Sequence, residues 1–410
     1  MNNDFAFKDV HNEELFFQNG KILVEVVQLF ERYRIVYRCR HQFLGDLFEQ
    51  LLSKGFKQNE GQFFTPMPIT RFIWDALPIQ SYISEKGLPK VIDYSCGAGH
   101  FLTEAVAAID EVRANTDNTW VEKHIWGIEK DYRLSRVSKI SMFMNGAGGA
   151  NIIFGDGLEN YPDKQIESGE FDILVANPPY AVSAFKSHLK LRNNDFEILE
   201  KISPDGSEIE TLFVERAVQL LKSGGMAAII LPAPILSKSL GSYVMARDLI
   251  VKSFYIRAIV SLESKTFGAT NTATVILFLE RFNEPPKMSA MAKDVADAIL
   301  SGQNLSNWED EKIFSEYLDK IGVNEITYRQ VIERQLSKEN LNGIEYFKNY
   351  VEAFEQTSQS YPKRISEEEK QNIERQRIYD LILQTEHRKL TVFVLVRNQQ
   401  TTVITAPTDN

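Results

Sequence analysis

"FDILVANPPY" occupies residues 171–180, and its first half sets the fold. Residues 173–176 are consecutive apolar side chains with no polar alternation, the pattern of a central parallel strand covered on both faces. Pro178 and Pro179 then withdraw two backbone N–H groups and fix φ, so the chain leaves the sheet through a stiff turn. A strand buried on both faces needs helices on both sides, and the flanking sequence supplies them. Apolar strand candidates at 90–94, 124–128, 151–154, 171–176, 226–231, 256–262 and 272–280 alternate with helix candidates such as 101–109, 134–144, 209–221 and 239–252. The alternation predicts an α/β fold: a doubly wound, mostly parallel sheet of seven strands, with ligands beyond the carboxyl ends of the strands.

Outside this region the character changes. Residues 1–60 read as a helical region, with Leu44, Leu47, Phe48, Leu51 and Leu52 on one helical face, and "NEGQFFTPMP" breaks that pattern with a glycine and two prolines. The sheet domain is expected over 61–285. Residues 286–410 read as a mainly helical extension in which Ser366 and Glu369 form a capping box. Its last stretch, "LTVFVLVRNQQTTVITAPTDN" (390–410), reads as two strands joined by a short turn. Such an edge needs cover, from a partner subunit or from the rest of a longer polypeptide.

Composition narrows the setting. The 410 residues are 43% hydrophobic and 25% charged, as in ordinary globular proteins. No apolar run is long enough to span a bilayer and "MNNDFAFKDV" has no leader character, so the expectation is a cytoplasmic protein without a membrane partner. Two cysteines, Cys39 and Cys96, give no disulfide framework, and six scattered histidines show no zinc spacing, so no metal is expected. The formal charge of −10 argues against a chain that grips a polyphosphate unaided. Either basic residues cluster locally or a partner supplies them. "ERYRIVYRCRHQ" (31–42) is the densest positive stretch, and a solvated helix face explains it equally well.

The strand ends carry the chemistry. "VIDYSCGAGHFL" (91–102) is an apolar run, an acidic residue, and then small residues opening a helix. Gly97 and Gly99 permit a tight turn and close approach to a ligand, with the positive end of the helix behind it. A third glycine of the dinucleotide fingerprint is missing, because Leu102 stands there. "WGIEKD" leaves Glu129 at the next strand end, where a carboxylate accepts the hydroxyls of a ribose or simply caps a helix. "FGDGL" leaves Asp156, suited to an exocyclic amine or to an Asx turn. Asn177 and Tyr180 flank the double-proline turn with an amide and an aromatic face, a pair that suits a flat, hydrogen-bonding ligand such as a nucleobase. Asp93, Glu129, Asp156 and Asn177 end four consecutive strands, and that coincidence is more telling than any one of them.

In order, "GQFFTP" (61–66), "DYSCGAGHFL" (93–102), "GIEKD" (127–131), "GDGL" (155–158) and "NPPY" (177–180) resemble the motifs of amino-methylating DNA methyltransferases. The likeness is to the adenine-N6 modification subunits of type I restriction-modification systems and their fused relatives. "GGMAAIILP" (224–232) and "TFGATNTATVILFLE" (266–280) extend the likeness over about 43–285, although Tyr94 stands where the family commonly has proline. The resemblance implies S-adenosylmethionine as cofactor, its methionine end held by Thr65, Asp93, Cys96, Gly97 and Gly99, its ribose by Glu129 and its adenine amine by Asp156. It implies that Asn177, Pro178, Pro179 and Tyr180 receive an adenine flipped out of double-stranded DNA. Partners would be a specificity subunit or target-recognition domain and a restriction subunit.

Other chemistries fit less well. A cytosine-C5 methyltransferase needs a nucleophilic cysteine, commonly after a proline, and neither Cys39 nor Cys96 follows one. Protein-glutamine and RNA N-methyltransferases use Asn-Pro-Pro-Tyr on the same kind of delocalised nitrogen, but "GQFFTP" counts against them. A non-catalytic DNA-binding scaffold would have no need for the full set of polar groups.

Overall fold

The run at 171–176 lies inside an eight-stranded sheet, flanked on each side by a parallel strand. The computed structural model describes residues 19–31, 65–114, 117–264, 266–267, 272–302, 308–357, 360–361 and 366–405. Helix α1 (Gly20–Phe30) precedes α2 (Met67–Ala76) and α3 (Ile79–Lys86). Strand β1 (Val91–Asp93) leads into α4 (His100–Arg113), and α5 (Val121–His124) into β2 (Ile125–Glu129), α6 (Tyr132–Met144) and β3 (Asn151–Phe154). After β4 (Phe171–Ala176) come α7 (Ile209–Leu220), β5 (Leu221–Pro232), α8 (Gly241–Ser253), β6 (Phe254–Leu262) and β7 (Thr274–Arg281).

Strand order is β3-β2-β1-β4-β5-β7-β6, closed at its far edge by β8 (Thr402–Ile404). The first five strands are parallel and β7 runs antiparallel to β5. From β1 the chain winds outward through β2 and β3, then returns to lay β4 on the other flank of β1. The strand order therefore reverses between β1 and β4, and a crevice opens beyond their carboxyl ends. Val91, Ile125, Ile173, Val175 and Ile230 of the sheet share one core with Leu102, Val106 and Ile109 of α4 and with Ile73 and Trp74 of α2. Trp74 meets its polar requirement by donating Nε1–H to the Phe101 carbonyl at 2.9 Å.

Described by itself, the second unit comprises Val251–Tyr255 and Phe282–Gln400 and is helical. It contains α9 (Pro285–Leu300), α10 (Trp308–Ile321), α11 (Glu325–Ile332), α12 (Lys338–Asn342), α13 (Glu345–Glu355) and α14 (Glu367–Val396). The capping box forms as expected: Ser366 Oγ accepts from the Glu369 N–H, and the Ser366 N–H donates to Glu369 Oε2. In its core, the buried carboxylate of Glu386 accepts from the hydroxyls of Tyr317, Tyr328, Tyr346 and Tyr350.

The expected hairpin at the end of the sequence does not form. Residues 390–396 complete α14, whose buried Ile378, Ile382, Glu386 and Leu390 repeat every four residues and pack with α9. Tertiary packing overrides the local strand preference of a β-branched run. Only Thr402–Ile404 is a strand, and it pairs in parallel with β6 as the eighth strand, with Ala258 opposite Thr402. The leucine face at 44–52, residues 32–42 of the basic stretch, Cys39 among them, and residues 61–64 of "GQFFTP" lie outside the described residues. Among the described residues no helix is long and apolar enough to cross a membrane.

Candidate active site

Asp93 ends β1 and is 1% exposed. Its Oδ1 accepts from the Ser95 N–H at 3.0 Å, while Oδ2 has no hydrogen-bond partner among the described residues. Burial, reinforced by the charge of Glu129, pushes its carboxyl up to about 8. Glu129 ends β2 and accepts from two backbone amides, Gly97 N–H at 2.8 Å and Asp131 N–H at 2.7 Å. Burial raises it to about 7 against the pull of those amides. Burial thus favours the protonated form of both carboxyls at the ends of these adjacent strands.

The two glycines of the β1 turn serve different ends. At Gly97 (φ +53°) a Cβ would meet nothing within 4 Å, so its backbone faces open space. At Gly99 (φ +84°), just before α4, a Cβ would lie 2.7 Å from Ser138 Oγ of α6, so this glycine permits helix packing. A third close approach, unnoticed in the sequence, is at Gly157, where a Cβ would fall 2.0 Å from the Tyr94 carbonyl oxygen. It locks the turn after β3 onto the turn after β1. Asp156, in that turn, forms the Asx turn, with Oδ1 accepting from the Leu158 N–H, and its Oδ2 pairs with Lys130 Nζ at 2.8 Å.

At the end of β4, Asn177 donates Nδ2–H to Thr65 Oγ1 at 3.2 Å. Pro178 is buried and Pro179 half-buried. Tyr180 is 2% exposed and offers no open ring face in this structure.

These turns border a cavity of about 760 Å³. Of the eleven residues expected from sequence, Gly97, Glu129, Asp156, Asn177 and Pro179 line it. Thr65 and Asp93 stand behind lining residues, bonded to Asn177 and Ser95. Gly99, Pro178 and Tyr180 do not line it, and the Cys96 side chain belongs to the core, with Sγ 3.7 Å from Ser138 Oγ and its thiol pushed well up by burial. Sequence reasoning missed the rest of the wall. Tyr132 and Phe154, half-exposed with rings edge to face at 5.3 Å, flank the Glu129–Asp156 side, and Val182, Phe185 and His188 close the Asn177 side. A large aromatic at the last position of β3 was the available signal for Phe154. Among the described residues no three His, Cys, Asp or Glu side chains converge as a metal site.

Residues 40–360 match the model of the N-6 DNA Methylase family. The chain is 26% identical over 298 residues to the type I restriction enzyme EcoEI methylase subunit of Escherichia coli, an alignment covering 69% of this chain and 54% of the relative. It is 23% identical over 338 residues to the MjaVII methylase subunit of Methanocaldococcus jannaschii, covering 73% and 54%. Among solved structures, the type I restriction-modification system methyltransferase subunit of Streptococcus thermophilus aligns with a TM-score of 0.44 at 18% identity, over 60% of this chain and 51% of that one. The chain thus spans about half the length of the curated relatives it matches. With the family model covering most of its length, this chain belongs to the N-6 DNA Methylase family.

Proposed function

We propose that the chain transfers a methyl group from S-adenosylmethionine to the N6 amine of an adenine flipped out of double-stranded DNA, as the modification component of a restriction-modification system. One observation carries the reading: Glu129, Asp156 and Asn177, from three parallel strand ends, open onto a single cavity at the reversal of strand order. The cavity fits the cofactor. Asp93 Oδ2, buried just behind the wall, has no hydrogen-bond partner among the described residues, Gly97 offers a backbone cradle, and Glu129 and Asp156 have oxygen lone pairs left for hydroxyls and an amine. Tyr132 and Phe154 supply aromatic surface beside Asp156 for the adenine ring.

When bound, the cofactor supplies a methyl group activated on a sulfonium. The chain's own task lies at the target nitrogen, whose lone pair is delocalised into the ring and attacks poorly. With Nδ2 of Asn177 donating to the Thr65 hydroxyl, Oδ1 takes the acceptor role toward the amine in this reading. Together with the Pro178 carbonyl, that acceptor draws the nitrogen toward a tetrahedral shape and aims its lone pair. Pro178 and Pro179 hold both groups on a stiff turn. Flipping the base costs roughly a few kcal/mol. Stacking on Tyr180 would return about 1–3 kcal/mol, and it requires the ring to be uncovered.

The acidic balance of the chain supports a partner that holds the DNA, a specificity subunit or recognition domain, with cleavage in a separate restriction subunit. The test is nucleoside mass spectrometry of DNA incubated with cofactor and the chain, alone and with its specificity partner. N6-methyladenine at a defined site is expected with the partner. Its absence from well-folded, cofactor-bound complex overturns the reading.

A further inference from the structure

Immediately after Tyr180 the backbone takes a conformation that L residues seldom adopt. Among the described residues, five non-glycine positions have left-handed φ, and two of them, Ala181 (φ +56°) and Ala184 (φ +50°), follow the Asn-Pro-Pro-Tyr turn. Something must hold the chain there. The Ala181 N–H donates to Glu210 Oε2 at 3.3 Å. Glu210, in the first turn of α7, is 2% exposed, and its other oxygen accepts from the hydroxyl of Tyr243 on α8, itself 4% exposed.

A carboxylate is a costly group to bury, and it is tolerated when its oxygens are taken up by donors. Here one oxygen is spent on a neighbouring helix and the other on the residue that leaves the proposed target-binding turn. The more distant part of the connection is tied elsewhere: Lys186 Nζ donates to the Leu199 and Ile202 carbonyls, and Glu215 accepts from the Glu197 and Ile198 amides. None of those bonds reaches back to residue 181. Val182, Ser183 and Phe185, the next residues along, line the cavity. Glu210 thus joins Tyr243 of α8 to the residue between the Asn177 turn and the cavity wall.

We propose that Glu210 is a positioning residue for methyl transfer: its buried carboxylate, braced by Tyr243, clamps Ala181 and so fixes the Asn177–Tyr180 turn against the cavity. The proposal rests on the function assigned above to that turn. Glu210 does not touch the reacting atoms. It acts through placement, where an error of about 1 Å can cost around a hundredfold in rate.

Three measurements on the full chain test it, using Glu210→Gln, Glu210→Ala and Tyr243→Phe: hydrogen exchange of the peptide over 178–185, S-adenosylmethionine affinity by calorimetry, and single-turnover methyl transfer with the specificity partner present. Exchange at Ala181 should accelerate more than about tenfold in Glu210→Ala, and by less in Glu210→Gln, whose amide oxygen still accepts from the Ala181 N–H, while the 97–104 peptide is unchanged. Transfer should fall about 10- to 100-fold with cofactor affinity within about twofold of wild type. Tyr243→Phe should shift exchange and transfer in the same direction by less. A residue that merely fills space would instead lower thermal stability and cofactor affinity together. Near-wild-type transfer despite loosened exchange overturns the positioning role, and unchanged exchange in Glu210→Ala overturns the clamp itself. Should Glu210→Ala fail to fold, Glu210→Met, of similar length and without an acceptor, takes its place. A wild-type chain that methylates no DNA overturns the functional reading, and the positioning role with it, while exchange still reports whether the clamp exists.

Discussion

The amide of Asn177 is held by the hydroxyl of Thr65, with Nδ2 and Oγ1 3.2 Å apart. An amide flips easily between two nearly isosteric orientations, and only one of them turns the acceptor toward a target amine. Thr65→Val should therefore lower methyl transfer by about tenfold, the order of one lost hydrogen bond, and leave cofactor affinity unchanged. Thr65→Ser should restore most of the rate. A loss of cofactor affinity of the same size in Thr65→Val would place Thr65 at the methionine end instead, the role its motif suggests.

Asn177→Ala removes the acceptor itself while the double-proline turn persists. By analogy with lost oxyanion donors, single-turnover methylation should drop about 10²–10³-fold. Cofactor titration should be indistinguishable from wild type. A near-wild-type rate would reduce Asn177 to a turn residue.

The carboxyl pair gives the site a pH signature. Burial holds Asp93 at about 8 and Glu129 at about 7 in the folded chain, above ordinary unfolded values. A raised carboxyl keeps its proton longer when folded, so the stability it lends is full below about pH 4 and is lost as pH rises toward 8. Thermal unfolding of the ligand-free chain should show Asp93→Asn gaining on wild type as pH is raised across that window. A cationic ligand beside Asp93 favours the carboxylate, so cofactor binding should release protons and tighten between about pH 6 and 8.5. Calorimetry in two buffers of different ionisation enthalpy measures the release, which Asp93→Asn should largely abolish along with much of the affinity.

Two glycines separate stability from binding. Gly157→Ala drives a methyl into the Tyr94 carbonyl, a backbone atom that cannot swing away, and should cost about 1–3 kcal/mol in chemical denaturation. Gly97→Ala meets open space and bears only its left-handed φ, for about 1–2 kcal/mol. The order reverses for the cofactor if Gly97 is its cradle: Gly97→Ala should then weaken binding more per unit of lost stability than Gly157→Ala does.

Much of this site was legible because a parallel sheet gathers its carboxyl ends on one rim. Once residues 151–154 and 171–176 read as strands, the places of Asp156 and Asn177 beyond them followed from topology, and the structure gives both strands those bounds. Depth was not legible. Whether Cys96 faces a ligand or Leu102, or whether the Tyr180 ring is open, depends on side chains distant in sequence. The wall at 182–189 has no periodicity to read, and the nearest α7 contact, Glu210 on the Ala181 N–H, joins residues 29 apart in sequence. At 390–396 the local strand signal was real but weaker than the four-residue stripe that begins at Ile378.

Strand β8 has a bearing on how the protein is made. Thr401 donates its hydroxyl to the Ile256 carbonyl, 145 residues earlier, and the intervening chain includes the helices of the second unit, from Phe282 to Gln400. A ribosome delivers β6 long before its neighbour, so the nascent sheet waits with one flank bare while the helices emerge. Closing so long a loop costs little entropy beyond a shorter one, but it sets the order of events: the helical unit can collapse on local contacts first, and sealing of the sheet follows. Until residue 404 is free, β6 is the surface that a chaperone, or a second nascent chain, would meet.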